Sequence, residues 1–167
     1  DPGALASSAT NAILDASGNG RHLTAVGSPL PQYTAGSPNY GATEALKFTS
    51  GNDRLHTAQT AAFNFGAGDS FTLEAVIRTA PGASFTGNIV GRDWGSNLPS
   101  WWFRLETGAP RFLIAQEGGP EPNVTASVPV NDGQWHHVAA VRDAVTRKLR
   151  LYVDHALAGE VAETPAL

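Results

Sequence analysis

The chain contains no cysteine among its 167 residues. That excludes a disulfide scaffold, a thiolate-bound zinc and a cysteine nucleophile. It does not exclude export, because a chain of this length can be held by its core alone. Charge is scarce too: Asp, Glu, Lys and Arg make up 16% of the residues, and the net charge is −4. So few charges argue against a disordered tail, and the negative sign leaves no basic field for a phosphate backbone. Nucleic acid is therefore not an expected partner. No apolar run approaches the roughly 20 residues of a membrane-spanning helix, and no membrane insertion is expected. The opening Asp1-Pro2-Gly3 reads as a mature terminus, with no leader ahead of it.

What the chain has instead is turn chemistry. Gly (18) and Pro (11) together supply about one residue in six, which suits many short strands joined by turns. Asp15-Ala16-Ser17-Gly18-Asn19-Gly20 is a turn, and residues 27–44, rich in Gly, Ser, Pro and Thr, read as a surface loop. Residues 45–48 and 54–56 read as short strands. The clearest strand covers 70–78, with Phe71, Leu73, Ala75 and Ile77 on a dry face and Thr72, Glu74, Val76 and Arg78 on the other. Residues 88–91 are a short buried run. Residues 101–106 and 111–116 form a hairpin around a four-residue loop, 107–110. Residues 138–141 and 149–153 form a second pair, joined by a charged turn over 142–148. A short Ala-rich stretch at 57–65 is the one helix candidate. The expected class is all-β, a sandwich or barrel, in one domain over 1–167.

The ordered segments resemble a known superfamily. Asp132-Gly133-Gln134-Trp135-His136-His137-Val138-Ala139-Ala140-Val141, followed by Leu149-Arg150-Leu151-Tyr152-Val153-Asp154, is similar to the laminin-G-like, concanavalin A-like lectin domains, with His155 where Gly is usual. Residues 15–20, 45–53 and 69–78 match further motifs of that superfamily in the same order. The resemblance implies a jelly-roll β-sandwich of two antiparallel sheets, with Trp135 in the core and a His bonded to nearby backbone. Such domains usually continue beyond the strand that ends at Asp154. With only 156–167 left, the expectation is a fragment of a larger multidomain protein. Its closing strands are then lacking, abbreviated, or supplied by another chain or segment.

Two constellations carry candidate chemistry. The loop holding Asp15 and Asn19 offers hard oxygen ligands suited to Ca²⁺, with Asp53 as a further candidate; the resemblance implies one structural Ca²⁺ of this kind. The alternative is a plain Asx turn in which Asp15 accepts its own loop amides. The second constellation combines Trp94, Trp102 and Arg104 with Glu74 and Arg78, as aromatic planes and charged hydrogen-bonding groups of a sugar site. In the bland alternative Arg104 only pairs with Glu74 or Glu106. Adjacent His136 and His137 point to opposite faces of a strand and cannot chelate one ion together. No catalytic residues are identifiable: the alternating carboxylate cluster of the glycan-hydrolysing members is missing. The expected function is a non-catalytic binding or accessory module of a secreted bacterial protein. It would recognise glycan or an extracellular protein surface, or position a neighbouring domain. The alternatives are a structural or assembly domain without a small ligand, and a glycan-acting enzyme of the same fold.

Overall fold

A computed structural model describes residues 13–58, 60–92, 100–115 and 121–163. The chain divides into two compact units, Asp1–Thr60 and Ala61–Leu167.

The first unit holds four short strands, β1 (Thr24–Val26), β2 (Gln32–Ala35), β3 (Glu44–Lys47) and β4 (Arg54–His56). β2 pairs with β3 and β1 pairs with β4, both antiparallel, so one hairpin nests inside the other. The β3–β4 turn is tied by Asp53, whose carboxylate accepts the Thr49 and Ser50 amides at 2.7 and 3.0 Å. Gly27 follows β1 against this turn. A Cβ there would sit 2.8 Å from the Pro29 carbonyl and 2.9 Å from Asp53 Oδ1, and its φ of 149° belongs to glycine. Residues 27–44 are thus more than the expected loop. Tyr33 and Thr34 are strand formers whose backbone finds a partner in β3, a non-local pairing that local composition does not show.

The second unit is an antiparallel sandwich of eight strands: β5 (Phe71–Arg78), β6 (Gly87–Arg92), β7 (Ser100–Glu106), β8 (Ala109–Ala115), β9 (Asn123–Thr125), β10 (Trp135–Asp143), β11 (Lys148–Val153) and β12 (Ala156–Ala162). One sheet runs β12-β11-β10-β5, the other β6-β7-β8-β9. Trp101, Phe103, Leu105, Phe112 and Ile114 from the second sheet meet Val138, Ala140, Leu149, Leu151 and Val153 from the first in one core. Period-two alternation along each strand puts these side chains inside and their neighbours outside. The sandwich closes along one side. There the Ser127 amide donates to the Ala158 carbonyl at 2.8 Å, and a Cβ on Gly159 would come within 2.9 Å of Val124 Cγ2.

Five local expectations change. The helix candidate at 57–65 is only a 3-10 turn, Ala61–Phe63, because Phe63 and Phe65 pack onto the core instead of continuing a helical face. The inward face of β5 is partly buried, not dry, and Asn88 and Val90 of β6 are exposed, because both strands end their sheets. The β7–β8 turn has two residues, not four: Thr107 and Gly108 take φ of 50° and 87°, and Ala109 and Pro110 are already in the ladder. Trp135 lies outside the core, since Val138 and Ala140 point inward and the odd positions of β10 therefore point out.

Arg142, expected in a turn, is instead the largest side chain sealed in this unit, 1% exposed, in β10. Its guanidinium donates to both Glu163 oxygens at 2.9 and 2.8 Å and to the carbonyls of Gly66, Ala67 and Asp69 at 2.6–3.0 Å. All five of its N–H donors are used. Arg142→Leu leaves Glu163 charged and buried, and should cost about 3–5 kcal/mol in urea unfolding. Combining it with Glu163→Leu should recover part of that loss; a single variant as stable as the parent would contradict the role given to the pair.

Candidate functional site

The expected ligand residues fall on two different surfaces of the sandwich. Glu74 and Arg78 stand on the outer face of β5, while Trp102 and Arg104 stand on the outer face of β7. Phe71, Leu73, Trp101 and Phe103 all point into one core, so the residues alternating with them point away from each other. The five-residue constellation is therefore not one site. Trp94 lies outside the described residues.

On the outer face of the β12-β11-β10-β5 sheet, register sets Arg78 beside Trp135, Val76 beside His137, and Glu74 and Tyr152 on either side of Ala139. The Arg78 guanidinium carbon lies 4.9 Å from the Trp135 ring centroid, a cation–π contact. Glu74 Oε2 meets His137 Nε2 at 3.2 Å. The His155 ring stacks on that of His137, with centroids 4.9 Å apart and planes 21° from parallel.

His155 holds this place at a conformational cost. Asp154 and His155 form the two-residue β11–β12 turn with φ of 48° and 69°, a geometry that favours Gly at its second position. Asp154 also locks the turn: Oδ1 accepts the His137 amide at 3.0 Å and Oδ2 meets His136 Nδ1 at 2.8 Å. His136 Nε2 meets Asp132 Oδ1 at 3.0 Å. The expectation of a histidine bonded to backbone is thus replaced by an imidazole held between two carboxylates. Burial works against its charge, but the hydrogen bonds to Asp132 and Asp154 outweigh this and raise its pKa above the ordinary 6.5. The sign follows from linkage. A raised folded-state pKa contributes stability that is complete below pH 6.5 and fades as pH rises through the folded value. Thermal melts of the parent and of His136→Gln should therefore differ most just below that pH and converge above it; a constant gap would mean that His136 is neutral.

On the outer face of the other sheet, Trp102 lies over Gly91, where a Cβ would be 2.8 Å from the indole Cδ1. Arg104 pairs in register with Arg111, and Glu106 bridges them, 3.6 Å from Arg104 Nη2 and hydrogen-bonded to Arg111 Nη1. The Arg111 hydrogen bond, ahead of the opposing effect of burial, lowers the Glu106 pKa. Of the alternatives, Arg104 takes Glu106 and not Glu74. Arg111 was missed because the two-residue turn shifts its partner: a four-residue loop sets Arg111 opposite Glu106, the observed turn sets it opposite Arg104.

The calcium candidates, in the first unit, are engaged otherwise. Asp15 Oδ1 accepts the Ser17 amide at 2.8 Å and Oδ2 the Arg21 amide at 2.9 Å. Bonding to Ser17, then to the Arg21 amide, lowers its pKa to about 2. Asn19 turns its amide nitrogen to Ser17 Oγ, and Asp53 serves the Thr49–Ser50 amides. No group of three His, Asp or Glu side chains gathers to hold a metal among the described residues. The contacts that Asp15 makes are those of the Asx turn. Adding Ca²⁺ after EDTA treatment should leave the melting temperature unchanged; a rise that Asp15→Ala erases would reinstate the calcium site.

Among the described carboxylates, every resolved pKa shift, at Asp15, Asp53, Glu106, Asp132, Asp143 and Glu160, is downward. A glycosidase acid needs the opposite shift and a second carboxylate across the scissile bond.

Comparison with solved structures gives a fold likeness to the binding domain of Paraclostridial Mosquitocidal Protein 1. The TM-score is 0.73 at 14% identity, covering 92% of this chain and 38% of that one. A heptameric SAP-like pentraxin from Limulus polyphemus aligns over 55% of this chain and 44% of its own, with 18% identity and a TM-score of 0.35. The chain thus spans well under two thirds of either structure. A search among curated protein sequences gave no match. The family model of the concanavalin A-like lectin/glucanases superfamily (laminin G type) matches residues 49–167, most of the chain and all eight strands of the sandwich. The chain belongs to the concanavalin A-like lectin/glucanase superfamily.

Proposed function

We propose that this domain is a non-catalytic module that binds carbohydrate through the outer face of its β12-β11-β10-β5 sheet. The observation that carries the reading is His155. Placing a Cβ-bearing residue at φ 69° costs about 1 kcal/mol relative to Gly, yet the residue there is an imidazole, stacked on His137 and exposed. Local strain kept at an exposed aromatic group is a mark of recognition surfaces. Around it, Trp135 and Tyr152 offer ring planes, while Glu74 and Arg78 offer an acceptor and donors for hydroxyl groups. Membership in a superfamily of lectins and glucanases supports a carbohydrate ligand, and the fold likeness to a binding domain of a mosquitocidal protein supports a binding role.

His155→Gly tests it with a readout that a purely structural role would not move. The variant should gain about 1 kcal/mol of stability from the relieved turn. On a neutral glycan array it should lose binding, as should Trp135→Ala. Glycan binding unaffected by both substitutions, or absent from the parent domain, would overturn the assignment.

A further inference from the structure

The second outer face holds an arrangement that the reading above leaves unused. Arg104 and Arg111 are directly opposite each other across β7 and β8, and like charges in that position repel. Against two guanidiniums stands one carboxylate, Glu106, so the group carries a net positive charge on a chain whose own charge is negative. The sharing is unequal. Glu106 makes a short hydrogen bond to Arg111, while its approach to Arg104, at 3.6 Å, is an ion pair and too long for a hydrogen bond. Glu106 is the one acidic partner of Arg104 among the described residues, and the Nε of both arginines is buried without a partner. Each arginine side chain as a whole is 25% exposed.

Register extends the site in both directions. Asn88 of β6 flanks Arg104, and Thr125 of β9 flanks Arg111; both are exposed. The four residues make a row of hydrogen-bonding groups across the sheet, two of them cationic. Trp102 lies two residues from Arg104 on the same face, about 7 Å along the strand, with its indole over Gly91.

We infer that Arg104, positioned by Glu106 and Arg111, receives the carboxylate of an acidic sugar, a uronate, whose ring or neighbouring ring packs on Trp102. The Nη end of the planar Arg104 guanidinium, held only at 3.6 Å by Glu106 on a side chain that is partly exposed, can meet a carboxylate in bidentate geometry. The indole beside it selects a sugar over an acidic peptide, because a pyranose presents an apolar C–H face to a ring and a run of Asp or Glu side chains does not. Glu106 keeps Arg111 aligned and limits the site to one net positive charge, suited to one carboxylate at a time. The site shares only its ligand class with the Trp135–His155 face; its residues are different.

The probes are an oligogalacturonate hexamer, the same hexamer as its methyl ester, a hexaglutamate peptide and inorganic sulfate, measured by calorimetry on the whole chain. The free acid should bind roughly tenfold or more tightly than the ester. Arg104→Gln should reduce the acid to the level of the ester, and Arg104→Lys should restore only part of the difference, since lysine keeps the charge but not the fork. Trp102→Ala should weaken acid and ester alike. Arg147→Gln, which removes a positive charge from an exposed turn elsewhere, should leave the preference intact. Melting temperatures of the variants separate lost binding from lost folding, and Arg104→Lys keeps the test valid if Arg104→Gln fails to fold. Equal affinity for acid and ester, or a preference that survives Arg104→Gln, would overturn the site. So would displacement of the hexamer by hexaglutamate or by sulfate at matching concentration. Neutral glycans that still bind through the Trp135–His155 face, with no preference for the acid, would remove this site alone.

Discussion

Arg142 is the residue on which the sandwich turns. A guanidinium taken wholly out of water must find a partner for each N–H, and this one finds them in two places: the 66–69 segment that leads into β5, and the two oxygens of Glu163 just after β12. Those partners are the entry and the exit of the sheet in which Arg142 sits on an inner strand, β10. In a buried pair desolvation offsets much of the attraction. What the pair adds is selection. Any register that moves β5 or the end of β12 strands a buried charge, so the arrangement seen is the one in which all donors are met.

With that frame set, the outward faces are free to carry chemistry, and they carry different kinds. The β12-β11-β10-β5 face holds rings in mutual contact: Arg78 on Trp135, His155 on His137. The β6-β7-β8-β9 face holds two arginines competing for one carboxylate beside an indole. Described carboxylates elsewhere in this unit largely serve structure. Asp132 and Asp154 hold His136, Asp143 caps its own turn and meets Arg150, and Glu160 pairs with Lys148 and Arg150. Acidic groups held by donors are stabilised in their charged form, which is the wrong state for a general acid and a serviceable one for a scaffold.

The legible parts of the fold were those governed by local period. Alternation in β5 assigned its inward and outward residues, and the Trp135–Asp154 motif led to the right superfamily. The candidate site was legible in part: Trp102 and Arg104 do share a face, as do Glu74 and Arg78, because each pair sits on one strand at even spacing. The error was in joining the pairs, since which sheet a strand enters is decided by partners far away in sequence. Arg111 was hidden behind a misjudged turn length, and Thr107 at positive φ is not a residue that announces a two-residue turn. His155 was visible as a departure from Gly, but its consequence, the stack on His137, needed the pairing of β10 with β11.

By itself, then, the sequence determined the all-β class, the faces of its clearest strand and the superfamily. These follow from side-chain alternation and turn residues, which act over a few positions. Only the tertiary structure decided that Arg142 is buried and not part of a turn, that Trp135 faces outward, and that Asp15 accepts its own loop amides. It also decided that the aromatic and charged residues divide between two opposite surfaces. Burial, ion pairing and site assembly depend on contacts between strands distant along the chain, and local pattern carries no record of which strands will meet.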